Sequence, residues 1–279
     1  MGRASCDRAA GGLSARALAH HCRFRAPRRG AGGGHRCTHD PAPTRHRVDS
    51  RGRGKSEYDG NPGNYTLTTE LFDLLSVLTA IEIEKAVFVG TSRGGILTML
   101  LAAVRPTVIA GCVLNDIGPV IEAEGLARIR SYVGKLPIPG SLPEAAHVLR
   151  RLFQKQFPKL SGEEWLAFAR RTFKESGDQI LPNYDPRLSL ILQEVDLDKP
   201  LVPMWKEFDA LARTPLLVIR GANSDLLSAG TVEAMRARRT EMDVVEVRDQ
   251  GHPPLLTDEP TISRIAAFVA TRDANRRFS

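Results

Sequence analysis

The stretch VFVGTSRGG, Val87 to Gly95, decides the fold. A β-branched and aromatic run ends in Gly90, and one serine stands between Gly90 and Gly94. A second apolar run, GILTMLLAAV from Gly95 to Val104, follows and is closed by Pro106. The first run reads as a buried parallel strand and the second as a helix. A chain passing between them through Gly-Thr-Ser-Arg-Gly must reverse sharply. Gly90 and Gly94 leave room for the reversal, and Ser92 sits at its apex in strained backbone with its hydroxyl exposed. The helix start turns N–H groups and a partial positive charge towards that hydroxyl. Ser92 is therefore a candidate nucleophile, and the backbone N–H of Arg93 a candidate oxyanion donor. The alternative is a structural turn with an idle serine. The Arg93 side chain has two readings, contact with an acidic substrate or a solvated place at the helix start.

Working outward, the pattern of strand, helix, strand repeats. Lys85–Gly90, Ile109–Asp116, Thr214–Gly221 and Asp243–Asp249 read as strands. Thr66–Ile81, Thr231–Arg238 and Pro260 to about Thr271 read as helices, the first capped by Thr68 or Thr69. This alternation predicts an α/β fold with a mostly parallel sheet and helices on both faces. The interval between Asp116 and Thr214 is too long for a structureless loop. Five helices are expected in it: Ala123–Gly134, Pro143–Gln156, Gly162–Ser176, Pro186–Val195 and Val202–Leu211. Residues 48–118 and 213–279 then form the core, and residues 119–212 a helical cap over one end of the sheet. Trp205, Met204 and Phe208 either line a pocket under that cap or form its core.

A serine hydroxyl needs a base. After residue 55 the chain holds two histidines, His147 and His252. His147 lies in a helical stretch and suits a surface or packing role. His252, in DQGHPP, follows the last strand on a loop where such folds keep their chemistry, and is the candidate base. Asp225, in RGANSDLLS, lies between Ser92 and His252 in chain order and is the expected orienting acid. Asp116, in LNDIGP, is the alternative. Asp249 and Asp258 read as turn and cap residues.

The net charge of +7 belongs to one end of the chain. Residues 1–55 hold 13 basic and 3 acidic groups, and the rest holds 26 basic and 29 acidic. The body is mildly acidic, so the charge argues for no nucleic-acid partner. No apolar run is long enough to span a membrane, and no partner membrane is expected. No secretory leader is apparent. Four irregularly spaced cysteines point to a reducing, cytoplasmic setting. Residues 1–50 contain no Lys, Glu, Gln, Asn, Ile, Tyr or Trp, but five of the seven histidines and three of the four cysteines. So few apolar residues predict disorder through residue 47. The composition is that of GC-rich DNA read out of frame, and most of residues 1–47 is expected to be a frameshift or mis-called start. A transit peptide, a basic tail, and a metal cluster of His20, His21, Cys22, His35, Cys37 and His39 are weaker readings; the cluster matches no common zinc spacing.

Taken together, DSRGRGKSEYD (Asp49–Asp59), VFVGTSRGG, VLNDIGP, LLVIRGANSDLLS and DQGHPPLLTDEP resemble the α/β-hydrolase superfamily, from about residue 48 onward. They are similar to its small bacterial esterase, lactonase and C–C hydrolase members with a helical cap. The resemblance implies an eight-stranded, mostly parallel sheet, a Ser-Asp-His triad and no cofactor or metal. Family members whose nucleophile is aspartate run other chemistries, against which Ser92 argues. It also implies upstream strands and a His-Gly turn that donates a second oxyanion N–H. The upstream strands are expected to be missing or replaced and that turn is not recognisable here; loss of one donor costs roughly 10²–10³ in rate. The function expected is hydrolysis of a small carboxylic ester or lactone. A catalytically impaired relative, or a receptor using the capped pocket for a ligand, are the alternatives. Oligomeric state and substrate identity are not legible in the sequence.

Overall fold

The computed structural model describes residues 21–26 and 44–274. Eight strands are present among them: β1 (His21–Ala26), β2 (Thr44–Asp49), β3 (Ala86–Thr91), β4 (Ile109–Asn115), β5 (Phe173–Ser176), β6 (Gln179–Pro182), β7 (Leu216–Gly221) and β8 (Asp243–Val247). Six of these form one sheet in the order β2-β1-β3-β4-β7-β8, while β5 and β6 form a separate hairpin. The steps from β3 to β8 are parallel, and β1 runs antiparallel to both neighbours. The sheet thus has six strands among the described residues, against the eight that the resemblance implies.

The helices of the core are α1 (Leu67–Ala80), α2 (Arg93–Val104), α8 (Ala229–Arg238) and α9 (Glu259–Ala274). Between β4 and β7 lie α3 (Ala123–Tyr132), α4 (Leu142–Phe153), α5 (Gly162–Thr172), α6 (Ser189–Gln193) and α7 (Trp205–Asp209). Helices cover both faces of the sheet, so successive side chains of each central strand are buried on opposite sides. Phe88, Leu114 and Val218 join one apolar cluster with Leu78 and Met99 of α1 and α2. Val87, Val113 and Leu217 join another with Ile265 and Phe268 of α9. Each such side chain stabilises the fold by about 1.5–3 kcal/mol. The register Leu114↔Val218 and Gly221↔Val247 brings the carboxyl ends of β3, β4, β7 and β8 to one rim.

Three expectations are corrected here. Disorder was expected through residue 47, yet residues 21–26 and 44–49 are strands. The backbone explains it: Cys22 registers with Val48 on one side and Gly90 on the other, and ladder pairing needs no apolar side chain. The remainder of that stretch, residues 1–20 and 27–43, lies outside the described residues, and with it the frameshift and metal-cluster readings. Secondly, the helix expected over Gly162–Ser176 stops at Thr172, and β5 and β6 follow. Ser176 pairs with Gln179 across a two-residue Gly177-Asp178 loop, a hairpin turn, with Gly177 at a φ of +58°. Thirdly, α1 is capped by Thr66, whose side chain accepts from the Thr69 amide.

The inserted residues carry their own core. Tyr132, Leu149, Phe153, Phe157, Trp165 and Phe168 pack together, with Phe153–Phe168 and Trp165–Phe168 stacked at 5.9 Å. Leu255, from the loop after β8, is buried in the same cluster.

Candidate active site

Ser92 stands at the end of β3 with φ 49° and ψ −117°, a conformation that costs an L-residue of order 1–3 kcal/mol. The surroundings hold it there. The Ser92 amide donates to the Asn115 carbonyl at 3.0 Å, and its carbonyl accepts from Gly95 at 2.8 Å. A Cβ on Gly90 would lie 2.6 Å from the Gly94 carbonyl group, and one on Gly95 would lie 2.3 Å from the Ile117 side chain. The close approach expected at Gly90 is present, and Gly95 makes another. Arg93 opens α2, so its N–H is one of the amides that a helix start leaves without an intrahelical acceptor.

The three side chains that meet at the rim come from three strand ends. His252 Nε2 lies 2.9 Å from Ser92 Oγ. His252 Nδ1 lies 2.8 Å from Asp116 Oδ2. Because the carboxylate can only accept, Nδ1 carries the proton, which leaves Nε2 to accept from the serine hydroxyl. All three residues are nearly sealed from solvent: Ser92 is 7% exposed, His252 4% and Asp116 0%. Asp116 follows β4 at φ +55° with its amide bonded to the Ile219 carbonyl at 2.7 Å. Its Oδ1 accepts from the Gly221 amide at 2.7 Å, and its Oδ2 from the Ser224 hydroxyl at 2.5 Å. These donors hold the carboxylate facing the imidazole.

Asp225, the acid expected from chain order, does not reach His252. Its carboxylate crosses to the cap and takes a two-pronged ion pair from Arg128 of α3, at 2.5 and 2.8 Å. Burial raises its pKa, but the Arg128 hydrogen bonds and charge outweigh that and hold it below the usual carboxylate value. The residue of the β7 loop that does serve the histidine is Ser224, through Asp116.

Sequence reasoning also missed the support of the His252 loop. The His252 amide donates to the Gln156 side chain, just beyond α4, at 3.0 Å. Asn115 Nδ2 donates to the Pro254 carbonyl at 3.0 Å, and the Leu255 amide to the Gln250 side chain at 2.7 Å. No sequence signal marks Gln156, which sits 96 residues from its partner. Asp258 caps α9 through the Thr261 amide, and Asp249 turns at φ +57°. His147 is exposed on α4.

A cavity of about 150 Å³ opens over Ser92 and His252 between sheet and cap. Most of its wall is apolar, including Ile117, Ile129, Val133, Leu136 and Leu226. Tyr132 also lines it, and burial pushes that phenol up to about 12. Trp205, expected there, is a correction: it is not in the cavity wall. It packs edge-on to Phe208 of the main core at 5.9 Å, beneath the Arg238 guanidinium at 4.4 Å. Phe208 is fully buried, and Met204 packs against the same core. The Arg93 side chain reaches the wall but is bound to Glu70, Nε to Oε2 at 2.7 Å, and to the Tyr65 carbonyl at 2.9 Å. Glu70 is detectable in retrospect, since it shares the buried face of α1 with Leu74 and Leu78 at four-residue spacing.

The model of the alpha/beta hydrolase family matches residues 7–264. The chain belongs to that family. The match extends into the stretch read as aberrant and spans both halves of the core and the insertion. The chain is 30% identical over 227 residues to the 3-hydroxybutyrate-oligomer hydrolase of Cupriavidus necator, covering 79% of this chain and 77% of that one. It is similar in structure to an alpha/beta hydrolase from Novosphingobium aromaticivorans, with a TM-score of 0.76, 38% identity, and coverage of 82% and 80%. A putative hydrolase from Rickettsia typhi superposes with a TM-score of 0.71 at 27% identity, covering 80% and 75%. Among the described residues no helix is long and apolar enough to cross a membrane, and no three His, Cys, Asp or Glu side chains are grouped to hold a metal ion.

Proposed function

We propose that the chain is a serine hydrolase that cleaves a small carboxylic ester or lactone through an acyl-enzyme. One observation carries this reading: the unbroken line from Ser92 Oγ to His252 Nε2 at 2.9 Å and from Nδ1 to Asp116 at 2.8 Å, inside a mostly apolar cavity. Ser92 attacks the carbonyl as His252 takes its proton. Asp116 holds the tautomer and stabilises the imidazolium. The Arg93 N–H faces the developing oxyanion at the start of α2. No second oxyanion donor is identified among the described residues. His252 then protonates the leaving alkoxide, and water admitted to the same base releases the acid. The Cupriavidus relative supports the ester class, since its name gives it an oligomer of a hydroxy acid, whose units are joined by ester bonds. Hydrolysis of 4-nitrophenyl butyrate by the native chain beside Ser92→Ala tests the proposal. Turnover in the native chain and loss of at least ~10³-fold in the variant are expected. Equal release from both proteins removes it.

A further inference from the structure

Arg53 belongs to the DSRGRGKSEYD loop, far from Ser92 in sequence, yet it lines the same cavity. It is 6% exposed. Its Nη1 donates to Glu70 at 3.1 Å and to the Arg51 carbonyl at 3.4 Å. Its Nε and Nη2 meet no acceptor among the described residues. Glu70, 1% exposed at its side chain, is also the ion-pair partner of Arg93. A buried and a partly buried guanidinium therefore share one buried carboxylate, and among the described residues no aspartate or glutamate side chain is part of the cavity wall. Burial chiefly, and the neighbouring Arg93 charge, pull the Arg53 pKa down against the pull of Glu70. Arg51 has the opposite balance, with Asp59 and Asp73 both on it. Those carboxylates are 18% and 39% exposed at their side chains, where water screens them.

Arg53 and Arg93 share the single charge of Glu70, so the pair keeps an excess positive charge beside the cavity, which an anion entering it would offset. A carboxylate meets the planar fork of guanidinium donors with two hydrogen bonds, and the cavity is otherwise apolar enough to take a short chain behind it. We infer that Arg53 is the anchor for a free carboxylate on the substrate, so that the preferred substrate is an ester or lactone of an acid that keeps a second, ionised carboxyl group. This rests on the hydrolytic reading for the chemistry, though not for the binding contact. Arg53→Gln leaves Glu70 paired with Arg93, so the variant keeps the buried carboxylate neutralised.

The test compares monomethyl adipate with methyl hexanoate, which match in length and differ in the terminal carboxylate. The native chain is expected to favour the anionic ester in kcat/KM. Arg53→Gln is expected to lower the anionic-to-neutral ratio about 10- to 100-fold, and Arg53→Lys to restore part of it. An absent preference, or a ratio that Arg53→Gln leaves intact, overturns the assignment. Calorimetry on Ser92→Ala reads the same contact without turnover: tighter binding of monomethyl adipate, lost when Arg53→Gln is added, supports it, and equal binding of the two esters defeats it. Should neither ester turn over while the anion still binds through Arg53, the hydrolytic reading fails and the carboxylate anchor stands.

Discussion

Two aspartates leave the sheet at the carboxyl ends of neighbouring parallel strands, and they do different work. Asp116, after β4, is fully buried and turns its carboxylate towards His252. Asp225, after β7, is the acid that chain order favours, yet it faces the cap and binds Arg128. Each loop has the right position along its strand. What separates them is their donors. The Gly221 amide and the Ser224 hydroxyl, both from the β7 end, reach across to Asp116 and aim it. The β7 loop thus orients the neighbouring strand's carboxylate and leaves its own for the cap. A strand end marks where a carboxylate can act, and the hydrogen bonds around it decide which one does.

The sharpest way to break this comparison is to remove each carboxylate in turn. Asp116→Asn is expected to reduce kcat about 10³- to 10⁴-fold, because the amide presents the wrong partner to Nδ1–H. Asp225→Asn is expected to keep kcat within a few-fold. Steady-state kinetics on one ester, with both proteins checked for folding by circular dichroism, decides between them. The reverse pattern would reinstate Asp225 as the orienting acid.

A smaller effect is expected at Ser224. Ser224→Ala removes the 2.5 Å hydroxyl bond to Asp116 but leaves the Gly221 amide in place. A fall in kcat of about tenfold is expected, as befits one hydrogen bond to a charged group. Because Ser224 also accepts from the Leu226 and Leu227 amides, thermal denaturation should accompany the kinetics.

For Asp225 the expected loss is in stability. Its depressed pKa means that the ion pair contributes fully above the ordinary carboxylate value of 3.8 and fades as pH falls through the lower folded value. Asp225→Asn should therefore cost about 2 kcal/mol at pH 7, with the gap from the native chain closing below pH 3.8. Urea denaturation at several pH values measures it. A gap that is constant with pH would mean the pair contributes packing alone. The smallest effect belongs to Trp205→Phe. With the side chain outside the cavity, KM should stay within about twofold, and a larger change would return Trp205 to the substrate pocket.

Much of this was legible in the residues. The glycine-flanked serine between a strand and a helix, and the histidine on the loop after β8, are local patterns, and local patterns survive in sequence. That the central strands run parallel followed from alternation. The choice of acid did not, because the partner that claims Asp225 lies 97 residues away. Pocket lining failed for the same reason: Trp205 and Phe208 have helical spacing in either role, and only packing shows that they face the main core. Strand β1 was missed because its evidence lies in pairing with Gly90 and Val48, not in its own composition.

The cap gives more than a roof. Gln156 binds the His252 amide, and Leu255 is buried among the cap's aromatic side chains. The His252 imidazole is therefore founded partly on the same helices that wall the cavity. Exchanging this insertion for one from a relative would change the imidazole's footing along with the cavity wall, so under the proposed hydrolysis selectivity and speed could not be engineered separately.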